Sequence, residues 1–206
     1  MLAYLSWHRP AAGIDARAYE QALEQFHRSL AHQAPSGFRG SATFRLQELP
    51  WLASPPQDGP GADPAAAVAA GGYEDWYLLE DWAALGVLEE AAVSHTHEGA
   101  HDRVASLAGV STGAVYRFLE GYAGLDEGPV AVWVARAGGH EHPSLPALLG
   151  DGMDPAVDGL WRRCLGLGPA PEFCLLASEA SAGVAPTRLP PGWTASILAR
   201  EALWRG

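Results

Sequence analysis

The segment HEGAH places His97 and His101 four residues apart, with Glu98 beside the first. On a helix that spacing sets both imidazoles on one face, where they can share a zinc ion while the carboxylate activates the bound water of a hydrolase. The neighbouring residues disagree with that chemistry. Gly99 weakens the helix the motif needs, Asp102 and Arg103 follow where such helices turn uncharged and apolar, and no third ligand is marked downstream. His95 would join a looser metal site at the same place. The plainer expectation is a solvated polar turn between a helix and the next strand.

A second constellation falls on strand-like segments. From Phe38 to Leu46 the chain alternates, with Phe38, Gly40, Ala42, Phe44 and Leu46 on one face and Arg39, Ser41, Thr43 and Arg45 on the other. Arg117 lies between Val115 and Leu119, and His8 is in phase with Ser6 and Tyr4. If these faces coincide, they offer arginine and histidine donors to an anionic or carbonyl-bearing ligand. Arg45, Arg117 and His8 would then orient the ligand and Trp7 and Trp76 would wall it, with Glu80 or Asp81 balancing a buried arginine. The competing expectation is that these charges pair structurally with no ligand, or that the face looks into water. Core packing accounts for most of the 8 tryptophans. Trp51 is the exception: beside Pro50 at the mouth of a long loop, it reads as a lid residue.

Other signatures are weak. GLGPAP puts prolines where a phosphate loop needs backbone donors, and the chain has no lysine. Cys164 and Cys174, each in an apolar setting, read as two buried thiols instead of a bridge or a metal pair. His140 and His142 lie in a glycine-rich turn and are expected at the surface.

The elements that must position these residues follow from periodicity. Leu2 to His8 reads as a strand; Asp15 caps a helix with Tyr19, Leu23, Phe26 and Leu30 at helical spacing; Phe38 to Leu46 is the clearest strand. Asp75 to Trp82 is a third strand, Trp82 to Val93 a second helix and Ala114 to Glu120 a fourth strand, the order of a ferredoxin-like unit. Residues 53–72, rich in proline, glycine and alanine, form a loop, and a seam near residue 126 divides the chain. Beyond it, Pro129 to Arg136 is a strand, Asp154 and Pro155 start a helix through Leu165, Glu172 to Ser178 is a strand, and Trp193 to Trp204 closes the unit as a strand. The expected architecture is α+β: residues 1–125 and a degenerate 126–206 as two tandem ferredoxin-like units, their antiparallel sheets packed as an intramolecular α/β barrel.

Composition bounds the partners. Over 206 residues the net charge is -11, from 13 arginines against 24 acids, so there is no basic face for nucleic acid or an anionic membrane. An apolar fraction of 48% with 18% charged residues excludes disorder for most of the chain. The sequence has no apolar run of membrane-spanning length and no leader-like start, so a cytoplasmic protein is expected.

The run WYLLEDWAALGVLEEAAVSHTHEGAHDRVASLAG followed by GAVYRFLEG resembles the dimeric α/β-barrel superfamily, which includes antibiotic-biosynthesis-type cofactor-free monooxygenases, haem-degrading monooxygenases and EthD-like proteins. The third strand ends in an acid and an aromatic, a short helix carries Leu85 and Leu88, histidines lie beyond it, and a last strand follows. The resemblance is good over residues 1–121 and weak over 129–206. It implies an apolar cleft for a small, partly apolar organic molecule and, where a reaction occurs, monooxygenase-type chemistry with no cofactor; it leaves a homodimer open. Two other function classes remain: a non-catalytic oligomerising or interaction module, and a metal-dependent hydrolase at His97, Glu98 and His101.

Overall fold

In the computed structural model residues 1–52, 71–93, 96–125, 128–136, 149, 151, 153–184 and 189–206 are described. Burial along the first strand, β1 (Leu2–Pro10), already states the architecture. Ala3, Leu5 and Trp7 point one way, into a cluster shared with Trp133, Trp161 and Leu198 from the far end of the sequence. Leu2 points the other way, into a cluster with Phe26, Leu30, Leu88 and Val115. A strand buried on both faces lies between two cores.

The elements after β1 are α1 (Ala16–His32), β2 (Phe38–Leu46), β3 (Gly72–Leu79), α2 (Trp82–Val93), α3 (Glu98–Leu107) and β4 (Ala108–Gly121). Then come β5 (Val130–Arg136), β6 (Gly159–Gly166), β7 (Phe173–Ala177), α4 (Glu179–Val184) and β8 (Trp193–Arg205). The result is an α+β fold with four helices among the described residues and a closed barrel of eight antiparallel strands, ordered β1-β3-β2-β8-β5-β7-β6-β4. Numbered within its own four strands, each half runs in the order 4-1-3-2.

The lumen is solid. Trp7, Trp76, Trp133 and Trp161 are all at most 1% exposed and meet edge-on or tilted, with Trp7 and Trp133 centroids 5.2 Å apart and Trp76 and Trp161 5.5 Å apart. Such contacts add about 0.5–1.5 kcal/mol per pair beyond area burial. Among them sits a buried ion pair: Glu74 accepts from the Trp7 and Trp76 indoles at 2.9 and 2.6 Å and lies 3.3 Å from Arg200 Nε. The Arg200 guanidinium stacks 3.5 Å over Phe44. Burial pushes the Glu74 carboxyl up and the Arg200 guanidinium down, while their mutual attraction opposes both shifts.

On the outer face of the first half lie α1, α2 and α3. Asp15 caps α1 as expected, its Oδ1 accepting from Ala18 N at 2.9 Å, and Tyr19, Leu23, Phe26 and Leu30 are buried beneath it. The turn expected at HEGAH is instead the start of α3, since His97 N-caps a helix that packs against α1. The helix expected from Asp154 to Leu165 is also corrected: residues 159–166 are β6. A turn does begin at Asp154, whose Oδ1 accepts from Ala156 N. Asp158 then ends it, its carboxylate holding Asp154 N and Ser178 N and its carbonyl accepting from Tyr122 N. Gly121, at φ +89°, admits that carbonyl where a Cβ would collide with it. Beyond it Leu160 and Trp161 bury on opposite faces, and pairing with β4 and β7 on both sides outweighs helical propensity. The expected strand at 193–204 is present as β8. Both cysteines are free thiols, but Cys164 is exposed and only Cys174 is buried.

No helix of the described residues is long and apolar enough to cross a membrane. Of the expected 53–72 loop, residues 53–70 lie outside the described residues, as do His95, His140 and His142.

Candidate functional site

Period-two alternation decides which strand residues can meet. On β1 and β3 the pairs Tyr4 with Tyr77, Ser6 with Asp75 and His8 with Tyr73 share the outer face, whereas Leu5 with Trp76 and Trp7 with Glu74 share the lumen. The outer set, roofed by α1 and α3, is where polar side chains collect away from water.

At its centre is Asp75. Its Oδ2 lies 2.9 Å from His8 Nε2 and accepts from the Tyr77 hydroxyl at 3.2 Å. Its Oδ1 lies 3.4 Å from His27 Nε2, close enough for charge attraction but misaligned, so both atoms are buried with no hydrogen-bond partner. His8 Nδ1 is 2.8 Å from the Tyr19 hydroxyl, and His27 Nδ1 is 2.8 Å from Ser41 Oγ. Burial disfavours the Asp75 anion, yet attraction to the imidazoles of His8 and His27, with the His8 hydrogen bond, outweighs it and holds the carboxyl well below the usual carboxylate range. Burial together with Asp75 raises the Tyr19 and Tyr77 phenols, and burial with Glu89 pushes Tyr4 up to about 12. The phenols therefore keep their protons: Tyr77 donates to Asp75, and the Tyr19 hydroxyl shares a hydrogen bond with His8 Nδ1.

This network floors a cavity of about 380 Å³ between the sheet and the helices. Tyr4, Ser6, His8, Asp75 and Tyr77 line one side; Phe26, Leu88, Ala92 and Val104 supply an apolar wall; Glu89 and His101 stand at the helix side. His101 Nδ1 is 3.3 Å from Asp102 Oδ1, and its Nε2 has no hydrogen-bond partner among the described residues. A histidine tied at one nitrogen leaves the other open to a ligand in the cavity. Ser111, which also lines the cavity, belongs to a string Gly109–Gly113 that reads G-x-S-x-G. That string runs inside β4 and not through a strand-to-helix turn, so it forms no nucleophile elbow.

The residues grouped from the sequence are not brought together. Of His8, Arg45, Arg117, Trp7, Trp76 and Glu80, only His8 lines this cavity. Trp7 and Trp76 project into the lumen on the other face of the sheet. Arg45 lies over a separate, open depression, bonded to Glu20 at 2.6 Å and Glu201 at 2.7 Å, contacts that hold its guanidinium charged. Arg117 is exposed, Glu80 pairs with Arg39 at the surface, and Asp81 caps α2 by accepting from Ala84 N. Ser41 and Thr43, midway along the same stripe, are buried under α1. His97 is buried and used structurally, with Nε2 donating to Gln33 O at 3.1 Å and Nδ1 3.1 Å from Ser29 Oγ. Only His101 of the HEGAH histidines reaches the cavity. Among the described residues no three His, Cys, Asp or Glu side chains gather to hold a metal ion.

Asp75 and His27 were missed in the sequence although each carries a signal. Asp75 is an acid on the helix-covered phase of an otherwise aromatic strand, and His27 sits beside Phe26 on the apolar stripe of α1.

Among solved structures, the chain superposes on a candidate monooxygenase from Lactobacillus acidophilus NCFM with a TM-score of 0.52 at 9% identity, covering 100% of this chain and 95% of that one. An anthrone oxidase-like protein gives a TM-score of 0.47 at 8% identity, covering 98% and 93%. What is shared is the fold. No family model matches the chain, and neither does any curated protein.

Proposed function

We propose that the chain binds a small, partly apolar organic molecule in the cavity over His8 and Asp75 and oxidises it by cofactor-independent monooxygenase-type chemistry. The observation that carries this reading is the buried Asp75 carboxylate, tied through Oδ2 to His8 and Tyr77, at the floor of a ligand-sized cavity. A phenol or enol hydroxyl meets the polar floor of Ser6, His8 and Asp75, while its hydrocarbon part lies against Phe26, Leu88 and Val104. His101, steadied by Asp102, accepts a proton from the activated carbon or a second hydroxyl. The resulting carbanion gives its electrons to dioxygen: one CH2 and one O2 become one C=O and one water, with no external reductant. The alignment with a candidate monooxygenase supports the fold on which this rests.

In the same reading the two halves are ferredoxin-like units fused in tandem, supported by the 4-1-3-2 order in each, and the protein works in the cytoplasm, where Cys164 and Cys174 stay reduced. The rival, a module that only assembles with itself or a partner, draws on the lumen being filled by its own tryptophans.

Oxygen uptake with a panel of polycyclic phenols and enolisable ketones tests the proposal. The expected result is one O2 per carbonyl formed by the wild-type chain, with Asp75→Asn weakening ligand retention. No uptake and no ligand-induced rise in Tm across the panel would sink it in favour of the interaction module.

A further inference from the structure

One end of the barrel carries a second depression, of about 420 Å³, built from parts that the first site does not use. Its walls are Trp51, Trp133, Arg163, the proline-rich turn at 168–171 and the hydroxyls of Thr194 and Ser196, with no acidic side chain among them. The two indoles pack at 5.4 Å between centroids, and both ring N–H groups are buried with no hydrogen-bond partner. Trp133 itself is 1% exposed.

Arg163 adds charge to that wall. One of its five donors goes to Ala170 O, and the rest have no protein partner among the described residues. Glu172, whose carbonyl accepts from Arg163 N, has its side chain already taken by Arg136 at 3.2 Å and by Arg162 at 3.9 Å. In a chain of net charge -11, this is an aromatic-walled recess that holds a cation and no acid.

The geometry points to a second ligand site at the barrel mouth, one that takes an aromatic carboxylate. The carboxylate meets Arg163, and the ring lies against Trp51, Trp133 and Pro169. A phosphate dianion suits the recess less well, because a single guanidinium would face two charges amid apolar walls. Trp51, half-buried at the rim and packed edge-on to Trp7 at 5.4 Å, closes one side.

The test is calorimetric titration of the full chain with 2-naphthoate and, in parallel, with neutral 2-naphthamide. Expected are one-to-one binding of naphthoate, at least tenfold tighter than the amide, and at least a tenfold loss in Arg163→Gln. Because Arg163 also holds the turn through Ala170, Trp51→Leu serves as the second variant, and it too should weaken naphthoate severalfold. Equal affinities for acid and amide, or naphthoate binding unchanged in both variants, would overturn the proposal.

Discussion

The two halves of the barrel share a strand order but not an outer face. In the first, β1 and β3 present Tyr4, Ser6, His8, Tyr73, Asp75 and Tyr77 to the helices. At the matching places in the second, β5 and β7 present Val130, Val132, Val134, Phe173, Leu175 and Ala177, packed with Leu149, Leu160 and Ala182. One half encloses titratable groups around a cavity; the other encloses hydrocarbon. A polar layer under helices needs every group matched and loses stability where one is not, whereas an aliphatic layer needs only to fit. On the proposed reading, the outer face of the first half holds the chemistry and that of the second only closes the barrel.

Removing the open imidazole attacks that assignment most strongly. His101→Gln should lower turnover by about 10²–10⁴-fold, the range for a lost acid or base, with the fold intact by circular dichroism. Where the halves meet, Arg200→Met leaves Glu74 buried and unpaired and should cost about 3–5 kcal/mol in urea unfolding, while adding Glu74→Gln should recover much of it. Leu175→Ala, in the hydrocarbon half, should cost about 2–5 kcal/mol yet leave ligand affinity in the first half unchanged. If that affinity falls as well, the division of labour is wrong. Stability against acid sharpens the comparison. Since the folded Asp75 carboxyl lies below its unfolded value of about 3.9, its contribution is complete above that value and is lost as pH falls towards the folded one, so Asp75→Asn should flatten that limb of the curve. The smallest effect belongs to Glu80→Gln at the surface pair with Arg39, worth at most about 1 kcal/mol with no change in binding.

Much of the frame was legible in the sequence. The alternation from Phe38 to Leu46, the Asp15 cap and the stripe from Tyr19 to Leu30 are local signals, and local chemistry decides them. Residues 159–166 were not legible, because nothing local makes LWRRCLG a strand; its two neighbours in the barrel do. The same limit governs the site. His8 was found from its phase on β1, but its partners Asp75 and His27 come from β3 and α1, and only folding brings them together. Trp7 and Trp76, grouped with His8 from the sequence, lie in the lumen, because aromatic character does not say which of two buried sides a residue takes when both are covered. The HEGAH histidines were separated by a cap: His97 turns inward at the start of α3, while His101 one turn later reaches the cavity.

Covalent continuity between the strands on either side of the seams at β2 with β8 and β4 with β6 has a thermodynamic corollary. A barrel assembled from separate subunits falls apart on dilution, because its two parts must find each other again. Here the link is internal, so dilution alone should not open the barrel, and the step that closes it on refolding should be first order whatever the amount in the tube.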